Sequence, residues 1–119
     1  MYGLPENVDL SFLQGKRLIQ ICIGSHQIIL RFDEDISISI ESPIKLLSRN
    51  GEHYIYDQAS SINKDFIELL ESSVVNVIPY TTGTLRLVFG NGSEIELTDD
   101  SIQYESYQIF RDGKIVVVV

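Results

Sequence analysis

The chain has 119 residues, 44% of them hydrophobic, and its 17 Asp and Glu against nine Lys and Arg give a formal charge of −8. This length and apolar fraction exclude a disordered chain and predict a single β-rich domain over residues 1–119. The negative charge disfavours nucleic acid and anionic membranes as partners and suits a basic protein, although it is equally explained by the solubility of a cytosolic protein.

The single cysteine, Cys22, excludes an internal disulfide and a multi-cysteine zinc site, which suits a reducing compartment. The first residues lack a basic segment followed by an apolar one, and no apolar run approaches the roughly 18 residues that span a bilayer. We therefore expect a cytoplasmic protein.

After an irregular stretch over residues 1–14, the first half of the chain alternates apolar and polar residues with the period of a β-strand. The clearest alternation is the segment ISISIE, which begins at Ile36. Asn50-Gly51 is a strong hairpin signal, because both residues tolerate positive φ. The strands predicted in this half cover residues 18–23, 27–32, 36–40, 44–47 and 53–56.

Ser60 and Ser61 supply an N-cap for the one predicted helix, at about residues 61–72, where apolar residues recur at helical spacing. Strands then return, with a hairpin signal at Asp112-Gly113. The run IVVVV at residues 115–119 is apolar at every position, so we expect it to be buried on both faces or covered by another subunit. The strands predicted in this half cover residues 74–80, 84–89, 94–97, 104–110 and 114–119.

The two halves align at an offset of 57 residues, as from Phe32 to Phe89, which superposes the apolar positions of two predicted hairpins. Any two hairpins of similar length would align in this way, so duplication and coincidence both stay open. The predicted fold class is α+β: mostly antiparallel sheet, with two β-meanders, a hairpin between them and one helix.

Few residues are candidates for catalysis or metal binding. His26 and His53 are the two histidines, expected on the surface or in a strand, whereas a zinc site needs three or four ligands. Cys22 lies between isoleucines and is expected to be a small buried hydrophobe. The acids at residues 33–35 and 99–100 lack the glycine and distal glutamate spacing of an EF-hand. We therefore predict no enzymatic activity, no metal site and no cofactor.

Two long stretches carry carboxylates and no base, one between Arg31 and Lys45 and one between Arg86 and Arg111. Acids close to tyrosines are typical of charge-complementary protein interfaces. The other interpretation is that the acids are solvated and the tyrosines pack in the core. The predicted partner-binding residues are Asp33, Glu34, Asp35, Asp99, Asp100, Tyr104, Glu105 and Tyr107.

The segments LIQICIGSHQIILRFDEDISISIES and LRLVFGNGSEIELTDDSIQYESYQI resemble a family of small bacterial proteins of unknown function, whose members end in an acidic loop and a Tyr-Glu-Ser-Tyr-like stretch. Such proteins are also similar to immunity proteins encoded beside polymorphic or contact-dependent toxins. The resemblance implies direct binding to a cognate toxin in the cytoplasm, and it carries over no catalytic residues.

We therefore predict an inhibitory protein that docks its acidic segments on a basic toxin. The alternative is a homo-oligomeric structural or small-ligand-binding domain, in which residues 115–119 form the contact between two copies.

Overall fold

A computed structural model describes Leu4, residues 8–99 and residues 106–119 of the chain. Within these residues the chain forms ten strands, short 3₁₀ helices at Ser11–Leu13 and Ala59–Ser61, and one α-helix, α1, at Lys64–Ile67. The strands are β1 (Leu18–Ile23), β2 (Ile28–Phe32), β3 (Ile36–Ile40), β4 (Ile44–Leu47), β5 (His53–Tyr56), β6 (Val74–Pro79), β7 (Leu85–Phe89), β8 (Glu94–Leu97), β9 (Tyr107–Arg111) and β10 (Lys114–Val118).

The strands form two five-stranded antiparallel sheets. The first sheet has the order β1-β2-β3-β9-β10 and the second has the order β5-β4-β8-β7-β6. Because side chains alternate along a strand, Ile36, Ile38 and Ile40 all face inward and are at most 2% exposed. Buried residues of both sheets belong to one hydrophobic cluster. The predicted, mostly antiparallel β-architecture is therefore confirmed.

The two halves of the chain have the same strand pattern. Each half contributes a three-stranded meander to one sheet and a hairpin to the other, so that β9 and β10 extend the first meander while β4 and β5 extend the second. Both meanders carry a register shift at the same place, after Leu18 in β1 and after Val74 in β6. Arg17 and Ser73, just before these strands, form an antiparallel bridge with each other. The predicted offset of 57 relates β2 and β3 to β7 and β8, whereas the register shifts and the bridged residues are 56 apart, so the turn after β6 is one residue longer than the turn after β1. Duplication as the origin of the pattern stays a prediction.

The molecule has two distinct ends. The register places Phe32, Ile36 and Arg111 side by side at one end, which we call the hairpin end because the turns at 33–35 and 112–113 lie there. In the second sheet Glu94 pairs with both Leu47 and Val88, so the turns 48–52 and 90–92 lie together at one end of that sheet. The bridge between Arg17 and Ser73 places this end beside the hairpin end of the first sheet. We call the opposite end the crossover end, because there residues 41–43 carry the chain from the first sheet to the second.

The one predicted helix lies within residues 61–72 but is much shorter than that range, and the class is mostly β rather than α+β. Helix α1 is a single turn, and its N-cap is Asn63, whose side chain accepts a hydrogen bond from the Phe66 N–H. Glu71 stops any extension, because it has φ of +71° and donates its N–H to the Leu18 carbonyl of β1. The helical spacing of apolar residues instead serves packing, since Phe66 and Leu69 are both fully buried.

The expectation that residues 115–119 are buried on both faces is also wrong. Among the described residues, strand β10 is an edge strand that pairs with β9 alone. The side chains of Ile115 and Val116 are 58% and 39% exposed, whereas Val117 and Val119 belong to the core. Two residues of this apolar run, Val117 and Val119, are therefore part of the chain's own core, whereas Ile115 and Val116 are exposed on the edge strand. Coverage of that edge by a second copy stays a prediction.

Candidate functional site

The first acidic turn, residues 33–35, lies at the hairpin end beside basic residues. Asp33 accepts a hydrogen bond from the Arg17 N–H at 3.2 Å, and Glu34 forms a 3.0 Å ion pair with Lys16. The backbone carbonyl of Asp35 accepts the Asp112 N–H, which joins the two hairpin turns of the first sheet. One of the three carboxylates of this turn, that of Glu34, is therefore paired with a base of the chain, and that of Asp33 accepts a backbone hydrogen bond.

The second acidic stretch is only partly described, because Asp100, Tyr104 and Glu105 lie outside the described residues. Tyr107 is 1% exposed, and its hydroxyl donates a 2.6 Å hydrogen bond to the Gly83 carbonyl. Burial raises the pKa of Tyr107 well above its ordinary value. This position agrees with the packing interpretation, and the Tyr107 side chain is not accessible to a partner.

Asp33 and Asp99, one from each acidic stretch, do not lie on one surface. Asp99 accepts a 3.2 Å hydrogen bond from the Ser106 hydroxyl. Ser106 directly precedes Tyr107, the first residue of β9, which pairs with Ile40. Asp99 therefore lies at the crossover end, whereas Asp33 lies at the hairpin end. A partner that covers one of these groups meets the other only by wrapping around the molecule.

The crossover end holds a cleft of about 640 Å³ between the two sheets. The turn after β1, the first crossover and the segment after β5 line this cleft. Its apolar wall is formed by buried side chains, those of Ile28, Ile40 and Ile44. Its rim is formed by exposed polar residues, among them His26, Glu41 and Asp57. A cleft of this size, with an apolar wall and a few polar groups, has the character of a small-ligand or side-chain binding site.

Two polar residues in the cleft are engaged in structural hydrogen bonds. The Ser42 hydroxyl donates a hydrogen bond to the Thr98 carbonyl at 3.0 Å, which links the crossover at residues 41–43 to the residue that follows β8. The Tyr56 hydroxyl donates to Asn63 at 2.7 Å, and burial, followed by the charge of Asp65, raises the pKa of Tyr56 to about 12. Both hydroxyls therefore serve the fold.

Within the described ranges, no group of three or more His, Cys, Asp or Glu side chains is arranged to hold a metal ion. The same part of the chain has no helix with the length and apolar content to cross a membrane. His26 lies exposed in the turn after β1, and His53 begins β5, also exposed.

Sequence reasoning missed the cleft, because its three segments are far apart in the chain and meet only through the sheet topology. The sequence held no signal for it: the register places Ile44 opposite Leu97 and Tyr107 opposite Ile40, but Ile44 and Tyr107 are 63 residues apart, so the predicted offset of 57 does not relate them.

Comparisons with curated protein sequences and with solved structures yield no significant match. A family model does match, and it covers residues 10–119. The chain therefore belongs to this family, which is described as a family of unknown function (DUF6188).

Proposed function

We propose that this protein binds and inhibits a protein with a basic surface, acting in the cytoplasm as an immunity protein that neutralises a cognate bacterial toxin. The observation that carries the proposal is the charge of the crossover end. The described segments at this end, residues 24–27, 41–43, 57–63, 79–84 and 98–99, contain no Lys or Arg. The carboxylates in these segments are Glu41, Asp57 and Asp99.

The hairpin end differs, because its acids lie among bases. Ion pairs join Lys16 to Glu34 and, beside them, Arg17 to Glu71. A third pair joins Arg49 to a glutamate of the segment after α1. The acidic charge at the crossover end attracts a basic partner and orients it on approach, which raises the association rate.

The choice of a toxin as the partner is supported by the resemblance to immunity proteins. The family description itself assigns no function. Coexpression with the product of the neighbouring gene, followed by co-purification and a growth-rescue assay, tests this. We expect a complex and restored growth. The absence of both a complex and protection would overturn the proposal.

A pair of double variants tests the docking surface. Glu41→Lys with Asp57→Lys reverses two charges at the crossover end, and Glu34→Lys with Asp35→Lys reverses two charges at the hairpin end. We expect the first variant to slow association with the toxin by about tenfold or more, with a smaller effect of salt, because electrostatic steering is lost. We expect the hairpin-end variant to associate like the wild type. Equal effects of both variants would contradict docking at the crossover end.

A homodimer is the second candidate, and the open edge of β10 favours it. Ile115 is 58% exposed on β10, an edge strand of the first sheet. Pairing of β10 with the β10 of a second copy would cover the Ile115 side chain and the backbone groups of the edge. Analytical ultracentrifugation of the wild type tests this, with Ile115→Lys as the disrupting variant. Ile23→Lys is the control, because Ile23 is 51% exposed on the edge strand β1. A monomeric wild type would eliminate this candidate.

A further inference from the structure

The edge strands of the two sheets differ in how they are protected from pairing with another chain. Strand β10 begins with Lys114, β5 is only four residues long, and β6 ends in Pro79. Lysine, short length and proline are common devices that keep an edge from adding a further strand. Strand β1, with the sequence LIQICI, has no charge and no proline, and after its register shift at Leu18 the ladder with β2 is regular.

The backbone groups of β1 that face away from its sheet belong to Ile21 and Ile23. Gly24 donates its N–H to the Gln27 carbonyl at 2.8 Å, so these two residues form a hydrogen-bonded pair. Such pairs recur at every second residue of an antiparallel ladder, which makes Cys22 the next residue that bonds to β2. The N–H and carbonyl groups of Ile21 and Ile23 therefore point to the open side of β1.

The start of the same edge already pairs with a segment of this chain. Leu18 donates its N–H to the Ser72 carbonyl at 3.0 Å, and the Leu18 carbonyl accepts the Glu71 N–H at 2.8 Å. Glu71 has φ of +71°, and Leu69, two residues before it, is fully buried in the core. The pairing segment therefore leaves the edge at this point, and the rest of β1 stays open.

The second half of the chain has a proline at the equivalent place. In the first meander Ile23 lies opposite Ile28, the first residue of β2, and in the second Pro79 lies opposite Leu85, the first residue of β7. Proline has no N–H to present to another strand. Strand β1 thus offers a donor where β6 has none, and the fold accepts proline at this place.

The side chains at the open part of β1 suit an added strand. Ile21 lies opposite Leu30 and Ile23 lies opposite Ile28, and both partners are buried. Directly opposed residues share one face of a sheet, so Ile21 and Ile23 lie on the face that carries the core. Ile23 is nevertheless 51% exposed at the edge. Apolar residues at alternate positions of an added strand would cover it.

The charges near this edge favour a basic segment. The turn that follows β1 lines the cleft at the crossover end together with Glu41 and Asp57, and no Lys or Arg lines this cleft. Neither carboxylate forms an ion pair with a described residue. A lysine or arginine that ends beside this turn gains attraction from both, whereas a second copy of this chain brings a further charge of −8.

We propose that β1 pairs with an extended segment of a basic partner protein, which adds an antiparallel sixth strand to the first sheet at Ile21 and Ile23. Residues 71–72 already pair with β1 in the antiparallel direction. This direction places the N-terminal end of the added segment, with its lysine or arginine, beside the turn 24–27. The strand pairing rests on the sheet alone, and only the identity of the partner as a toxin rests on the proposed function.

Titration of the full-length, ¹⁵N-labelled protein with the peptide acetyl-Lys-Lys-Val-Thr-Val-Thr-Val-amide tests the strand pairing without a toxin. We expect saturable chemical-shift changes at the amides of Ile21 and Ile23, and their absence would overturn the inference. The same peptide with two glutamates in place of the lysines should bind about two- to tenfold more weakly, because of the carboxylates at the rim of the cleft.

N-methylated peptides test whether the backbone makes the contact. The peptide valines should lie opposite Ile21 and Ile23, on the face that carries the core, and their N–H groups should then point at β1. N-methylation of the valines should weaken binding by about tenfold or more, whereas N-methylation of the threonines, whose N–H groups point away, should retain it. Equal binding of the two methylated peptides would contradict the pairing.

A proline in β1 tests the same contact from the side of the protein. Ile23→Pro removes the outward donor and gives β1 the residue that β6 has at the equivalent place, so it should fold and should bind the peptide about tenfold or more weakly. Ile23→Val retains the N–H and is the control, with binding like that of the wild type. If Ile23→Pro does not fold, the methylated peptides still decide the question.

The same variants separate this inference from the proposed function once the toxin is used. A toxin complex that Ile23→Pro weakens by about tenfold or more supports pairing at β1. A complex that Ile23→Pro forms as tightly as the wild type would overturn the inference and leave the proposed function intact. The absence of any complex would overturn the proposed function, and the peptide titration alone would then decide the pairing. A wild-type dimer that Ile23→Pro abolishes would assign this edge to a second copy and overturn the inference.

Discussion

Replacement of Tyr107 by Phe removes one oxygen atom from the core and nothing else. The Tyr107 hydroxyl donates to the Gly83 carbonyl at 2.6 Å in a buried site. Loss of the donor leaves that carbonyl without its partner, which costs roughly 1–2 kcal/mol of unfolding free energy at pH 7. For a chain of this size that corresponds to a decrease in melting temperature of about 4 °C per kcal/mol.

The effect of this substitution depends on pH, with a sign fixed by burial. Burial raises the pKa of Tyr107 in the folded protein above its ordinary value of 10.0. The stabilisation that this tyrosine provides is complete below pH 10 and decreases above it, because the unfolded chain then ionises first. The decrease is about 1.4 kcal/mol per pH unit, so the stabilities of the wild type and Tyr107→Phe should converge near pH 11.

Urea unfolding monitored by circular dichroism between pH 7 and pH 11 measures both quantities. The other tyrosines are present in both proteins, so their ionisation cancels in the difference. Tyr80→Phe is the control, because Tyr80 is 42% exposed, and it should change the unfolding free energy by less than about 0.5 kcal/mol. A Tyr107→Phe protein as stable as the wild type at pH 7, or a stability difference that widens above pH 10, would refute the reasoning.

Three further substitutions have definite expected effects on urea or thermal unfolding. Gly83→Ala should lower the free energy of unfolding by about 2 kcal/mol or more, because φ is +103° and the new Cβ would lie 2.6 Å from the Cβ of Asp99. Its control is Gly51→Ala, at φ +86° with nothing within 4 Å, which should lower it by about 1 kcal/mol. Equal losses would contradict the role of the close approach. Thr98→Val should stabilise the protein by about 1 kcal/mol, since the buried Thr98 hydroxyl has no hydrogen-bond partner among the described residues; a loss of stability would argue against this. Asn63→Ala should cost about 1–2 kcal/mol through loss of the helix cap, and an unchanged melting temperature would show that the cap contributes nothing.

The strands could be predicted because alternation is a local property. The segment that begins at Ile36 has one face of isoleucine, and that face is the one buried in β3. The same alternation places Tyr107 and Ile109 on one face of β9, both buried. The signal for the burial of Tyr107 was therefore present in the sequence, beside acidic neighbours that suggested an interface.

The helix and the cleft depend on contacts that are distant in sequence, which explains why they could not be predicted. The spacing of Phe66 and Leu69 fits a helix, but the bond from the Glu71 N–H to β1 ends the helix early. The cleft depends on which sheet each hairpin joins, and several strand orders fit the same alternation. The acidic stretches are visible in the sequence, but the strand order decides that Asp33 and Asp99 lie at opposite ends.

The exchange of hairpins between the two halves also has a consequence for folding. The central strand β3 pairs with β9, which begins at Tyr107, about 70 residues later in the chain. Pairing over such distances carries a large loop-closure entropy before any contact is gained, so this protein should fold slowly for its size. During synthesis the first sheet remains without two of its five strands until residues 107–118 leave the ribosome. Deletion of residues 114–119 removes β10 and the buried side chains of Val117 and Val119, so it should destabilise the whole molecule and not just one edge.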